Sequence, residues 1–125
     1  MLQDALMYSY IPAKDVNRAR QFYETKLGFR PSREIGGGVT YVCAGGTACF
    51  LYPTGNAGTS AASQAFWEVA DIEREVAVLE ENGVTFEEYD MPGRAPDKPI
   101  YTAGGARAAW FKDTEGNIMA IIQTL

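Results

Sequence analysis

Histidine is absent from this 125-residue chain, and cysteine occurs twice. Imidazole is the commonest metal ligand and the one side chain whose unperturbed pKa lies near neutrality. Its absence excludes Ser-His-Asp triads, HExxH zinc sites and two-His facial triads. Cys43 and Cys49 flank Gly45-Gly46 and could face each other across a hairpin. In a reducing compartment they are expected to remain thiols packed in a sheet. Gly36-Gly37-Gly38 lacks the strand-to-helix context of a phosphate-binding loop, which argues against a dinucleotide. Arg107 follows Gly104-Gly105 at the start of a late strand. Its guanidinium could hold a ligand carboxylate in a bidentate fork, or simply stand solvated at a strand end. The pairs Glu80-Glu81 and Glu87-Glu88 read as solvated faces.

Charge narrows the partners further. Sixteen acidic side chains against eleven basic ones give a net charge of −5, with no Lys/Arg cluster. Nucleic acid and anionic membranes both need a concentrated basic surface, so neither is expected as a partner; a cationic ligand is compatible. No stretch approaches the roughly 18 apolar residues of a spanning helix, and the start MLQDALMYSYIPAKD lacks the layout of a signal peptide. A cytoplasmic location is the expectation. With 46% apolar residues, the chain suits one domain whose core needs neither disulfides nor a metal.

Two helices are expected to organise these groups. In DVNRARQFYETKLGF, Asp15 caps the first turn, Val16, Ala19, Tyr23 and Leu27 recur at helical spacing, and Gly28 supplies the stop. DIEREVAVLEENGV repeats the plan with Asp71, the apolar face Ile72, Val76 and Leu79, and Gly83. Both are amphipathic and should lie across something apolar. Strands are expected at residues 6–12, 39–43, 48–52, 64–69, 107–111 and 118–123, with a weaker one at 85–89. Residues 113–117, DTEGN, carry turn chemistry. Residues 54–63 are small and polar, which suits a linker, and the three prolines of residues 91–99 keep that loop out of any sheet interior.

The internal repeat carries the most information. Asp15 and Asp71 lie 56 positions apart, and at that offset Arg18 matches Arg74 and the first strand matches residues 64–69. GNIMAII aligns with GTACFLY when Gly116 is set on Gly46. The chain therefore reads as a duplicated unit: residues 1–53, a linker at 54–63, and residues 64–125.

KDVNRARQFYETKLGF, FWEVADIEREVAVLEENGV and especially WFKDTEGNIMAIIQ together resemble the vicinal oxygen chelate superfamily, which includes glyoxalases, bleomycin-resistance proteins and extradiol dioxygenases. The resemblance covers nearly the whole chain. It implies an α+β fold of two tandem βαβββ modules, their mixed sheets curled into a cup with the helices outside, assembled as a homodimer. In metal-dependent members four side chains, one from the first and one from the last strand of each module, hold a divalent ion. The matching positions here are Tyr8, Phe50, Gln64 and Ala120. A catalytic divalent site wants about three His, carboxylate or similar donors, and of these four only Gln64 is a plausible one. The expectation is no metal and no cofactor, which removes glyoxalase and dioxygenase chemistry because both depend on the ion.

Strand alternation then assigns the lining of the implied cup. With Tyr8 inward, Tyr10 and Pro12 follow; Gln64, Phe66 and Glu68 do the same, joined by Phe50, Tyr52, Ala120 and Ile122 from the end strands. Such a surface suits a planar or apolar ligand held by stacking and oriented by hydroxyl and amide groups. Core filling is the competing role for Tyr8, Tyr10, Phe50, Phe66 and Ile122, and a neighbouring hydroxyl could satisfy Gln64 as well as a ligand would. Trp67 falls on the helix side, and Trp110 is open between core and dimer contact. The leading expectation is a metal-free small-molecule-binding protein using Tyr8, Tyr10, Phe50, Tyr52, Gln64, Phe66, Arg107 and Ala120, with no assigned catalytic residue. The alternative is a metal-independent isomerase or lyase using Tyr8, Glu68 and Arg107.

Overall fold

The two capping aspartates perform the role their spacing implies: Asp15 accepts the Arg18 N–H at 3.0 Å and Asp71 accepts the Arg74 N–H at 3.2 Å. In the computed structural model, which describes Met1–Leu125, each cap opens a helix that follows the first strand of a four-stranded mixed sheet. Met1–Thr59 and Thr114–Asn117 form a first compact unit; Ser60–Asp113 and Ile118–Leu125 form a second.

The first unit contains β1 (Tyr8–Ala13), α1 (Val16–Gln21), β2 (Pro31–Ile35), β3 (Gly38–Val42) and β4 (Ala48–Pro53), with sheet order β1-β4-β3-β2. The second contains β5 (Ala65–Glu68), α2 (Ile72–Glu81), β6 (Tyr101–Ala103), β7 (Ala106–Lys112) and β8 (Ile118–Thr124), in the order β5-β8-β7-β6. In both, the first and last strands pair in parallel and the others run antiparallel. The α+β fold with two βαβββ modules is thus observed. Registers confirm the duplication, since Tyr10 faces Phe50 in β1/β4 and the equivalent Phe66 faces Ala120 in β5/β8.

Alternation along each strand puts one face against the helix. Ile11, Ala13, Cys49, Leu51, Val39 and Tyr41 are buried on that side of the first sheet, with Ala19 and Tyr23 of the helical segment. The rings of Tyr23 and Tyr41 stack at 5.9 Å. Beyond Gln21 the helix widens into a π turn over Phe22–Lys26, closed by the Leu27 N–H on the Phe22 carbonyl. That wider turn breaks the expected 3.6 spacing and brings adjacent Phe22 and Tyr23 both into the core. Ile72 and Val76 of α2 are buried likewise, and Trp67 stacks on Phe111 on the helix side.

Several expectations change. Residues 85–89 form no strand, only a bridge from Phe86 to Phe111, while β2 and β6 were not expected. β2 is exposed along its whole length, so it shows no apolar alternation; Gly36 and Gly37, both at positive φ, turn it into β3. The proline loop runs along the β6 edge through an Arg94–Tyr101 bridge. The stretch expected as a linker is partly built in, with Ala57 buried. Cys43 and Cys49 are free thiols, and burial pushes the Cys49 pKa up to about 12. No helix is long and apolar enough to cross a membrane.

Candidate functional site

The face of the first sheet turned away from α1 is aromatic. Tyr8 and Tyr10 alternate with buried Ile11 and Ala13, and Phe50 and Tyr52 alternate with buried Cys49 and Leu51. The Tyr10 ring lies 4.8 Å from Tyr52 and 6.2 Å from Phe50, edge-on to both, while Phe50 and Tyr52 are parallel within 9°. Edge-to-face packing fixes the three rings relative to one another, so the surface they offer is preformed. Tyr10 is nevertheless 62% exposed. Room for Phe50 comes from Gly38, where a Cβ would stand 3.0 Å from the Phe50 ring and overlap the Leu51 carbonyl.

In the second unit the corresponding face carries Phe66, 60% exposed, and Glu68 on β5, with Ile122 on β8 and Trp110 on β7. Trp110 belongs to a cluster absent from the sequence-based candidates. Tyr89 and Tyr101 each lie 5.7 Å from its ring, and the Tyr101 hydroxyl accepts the Tyr89 N–H at 2.7 Å. Burial raises the Tyr89 pKa, with the nearby Glu87 charge acting in the same direction. Trp110 was legible: a five-residue turn at 113–117 pairs Lys112 with Ile118 and hence Trp110 with Ala120, on the Phe66 face. Tyr89 sits in an irregular segment whose position no local pattern encodes.

Two expected site residues are corrected by position. Arg107 shares the helix-side parity of Ala109 and Phe111, and its Nη1 lies 3.8 Å from Glu73 on α2, a carboxylate also held by Lys98 at 2.6 Å. Glu68 and Arg107 therefore stand on opposite faces of one sheet, an arrangement that gives the expected isomerase or lyase constellation no geometric support. Ala120 lies on the expected face but is only 2% exposed and has no surface to give a ligand. Gln64 is half-buried just before β5, its N–H donating to the Ile118 carbonyl at 2.7 Å.

The four positions implied for an ion do not fit one. A phenol, a benzyl ring, a carboxamide and a methyl supply no carboxylate, imidazole or thiolate, and no three His, Cys, Asp or Glu side chains converge anywhere in the chain.

The chain is similar to several solved structures. TnmS3, an antibiotic-binding protein from Streptomyces sp. CB03234, is 23% identical, with 100% of this chain and 99% of that one covered and a TM-score of 0.70. UcmS2 is 20% identical, covering 94% and 96% respectively, with a TM-score of 0.74. A glyoxalase/bleomycin resistance protein/dioxygenase from Alicyclobacillus acidocaldarius is 16% identical over 98% and 92%, with a TM-score of 0.72. At these identities the likeness carries the fold. No curated protein matches the chain. A profile of the Glyoxalase/Bleomycin resistance protein/Dioxygenase superfamily matches residues 4–121, and the chain belongs to that superfamily.

Proposed function

We propose that this protein binds a small organic molecule with aromatic character, without a metal ion, on the open sheet faces described above. The observation that carries the reading is the preformed Tyr10–Phe50–Tyr52 surface, whose rings lie within 6.4 Å of one another on a face with no helix over it. Stacking on such rings gives affinity, and the tyrosine hydroxyls give orientation. Phe66 and Trp110 offer a second stacking surface in the other unit. The donor set argues against an ion, and similarity to a protein described as antibiotic binding supports a sequestering role of the bleomycin-resistance kind. A cytoplasmic homodimer completes the reading. Exposed Leu2, Leu6 and Met7 and the edge strands of each sheet favour self-association, which light scattering would register as twice 13.7 kDa.

Thermal-shift measurements with a panel of planar aromatic compounds test the binding. A ligand at about 100 times its Kd adds about 2.7 kcal/mol, or on the order of 10 °C in Tm for a domain of this size. Tyr10→Ala should abolish the shift while leaving the unliganded Tm nearly in place, because that ring is largely exposed; Phe50→Ala should abolish it as well, with a modest fall in the unliganded Tm because Phe50 is half-buried. A panel without any stabilising compound, or shifts indifferent to both substitutions, would reject the reading.

A further inference from the structure

The open face of the second sheet carries two charged side chains on its strands, and they differ in one respect. Lys112, opposite Ile118 in the register, is paired with Glu87 at 3.5 Å. Glu68, opposite Ile122, has no cationic partner; its Oε1 accepts the Thr124 hydroxyl at 2.8 Å and nothing else. Four residues of β8 separate those two registers, about 13 Å of strand, so Lys112 does not reach Glu68. Glu73 has Lys98 and Arg107, and Glu88 has Arg94, whereas Glu75, Glu80 and Glu81 of α2 lack a cation as Glu68 does but lie away from this sheet face. At the equivalent position of the first repeat, 56 residues earlier, stands Pro12. The duplication is thus broken here by a single unneutralised charge.

Its neighbours show what the charge could meet. Phe66 points from the same face two residues earlier, about 7 Å away along the strand, and Trp110 lies two strands across from Phe66, about 10 Å away. Half-buried Ile122 lies beside Glu68. A carboxylate beside exposed rings recognises a cation twice, by direct charge pairing and through the negative faces of the rings. The hydroxyl of Thr124 fixes one carboxylate oxygen and leaves the other available.

Resting on the ligand-binding reading above, we infer that Glu68 is a specificity-determining residue that selects an aromatic cation whose charge is carried by a protonated nitrogen in or on the ring frame. A charged N–H pairs with Glu68 while the frame lies on Ile122 against Phe66 and Trp110. A neutral or anionic aromatic of the same shape keeps the stacking and loses the charge pair.

The test compares 9-aminoacridine, a cation at neutral pH, with acridine, which is neutral there, by isothermal titration of the full chain at low salt. The variants are Glu68→Gln, which keeps the acceptor for Thr124, and Glu81→Gln at the end of α2, which removes the same unit of net charge away from this sheet face. The wild-type protein should prefer the aminoacridine by about tenfold, a preference that Glu81→Gln and moderate salt reduce only slightly and Glu68→Gln abolishes, with acridine affinity unchanged throughout. Equal loss in both variants would show that net charge alone attracts the cation and would overturn the inference. So would a preference that survives Glu68→Gln, or acridine binding as tightly as aminoacridine; in that last case the aromatic reading stands and only the role of Glu68 falls. If neither probe binds, both fall together.

Discussion

Glu115 is the residue whose environment is most fully determined. Its side chain is out of contact with solvent, and donors meet both oxygens. The Arg18 guanidinium grips it in a fork at 2.9 and 3.0 Å, the Asp15 N–H donates at 2.9 Å and the Thr114 hydroxyl at 2.9 Å. Burial alone would raise the carboxyl pKa; the Arg18, Asp15 and Thr114 hydrogen bonds outweigh it and bring the value down to about 2. A depressed folded-state value stabilises the fold fully above the unfolded pKa and is lost as pH falls through the folded one. From the ordinary value of 4.5 to about 2, the stability at stake is at most about 3 kcal/mol, less because Arg18 is half exposed. Glu115→Gln should therefore lower stability by about 2 kcal/mol at neutral pH, and the gap from wild type should close between pH 4.5 and about 2. Urea denaturation of both proteins across that range checks it; a pH-independent gap would mean that shape rather than charge holds the residue.

At the scale of elements, the turn bearing Glu115 and the stretch after β4 meet through two glycines. Gly58 has φ +74°, and a Cβ there would overlap the Glu115 carbonyl oxygen; Gly116 has φ +85° and packs on Gly58. Gly58→Ala should cost more than about 2 kcal/mol, from the left-handed backbone and the overlap together. Gly55→Ala, three residues earlier with open space around its Cα and no positive φ, should be close to neutral. Chemical denaturation of the two variants checks the contrast. This contact also shows what the sequence conceals. Helix caps, helix faces and the Tyr10–Phe50–Tyr52 face were legible, because a capping aspartate and a two-residue alternation are local signals. The role of residues 54–59 was not, since small polar residues look alike in a linker and in a tight packing turn. β2 and β6 escaped because one is wholly exposed and the other has three residues. Arg107 was misplaced because its assignment rested on the preceding glycines; counting from the 113–117 turn puts odd-numbered β7 residues on the helix side.

The whole molecule adds a constraint that neither repeat shows alone. Thr114–Asn117 packs into the first unit although the chain on either side, β7 and β8, belongs to the second. There it supplies Glu115 to the start of α1 and the Asn117 amide, which donates to the Pro12 carbonyl at 2.8 Å. Residues 1–59 alone would lack both, leaving an N-terminal N–H and a strand-end carbonyl without those partners, so the two repeats are expected not to fold separately. Unfolding the first unit frees the turn that fixes the β7–β8 hairpin ends, and that hairpin is the centre of the second sheet. Loss of one unit should therefore bring down the other in a single transition. Both tryptophans, Trp67 and Trp110, lie in the second unit, so their fluorescence reports on it alone, whereas far-UV circular dichroism reports on both. The two probes should give superimposable urea curves. Glu115→Ala, whose lost contacts are with Asp15 and Arg18, should shift both midpoints downward together. A tryptophan midpoint left in place while the dichroism curve splits into two steps would show instead that the repeats fold independently.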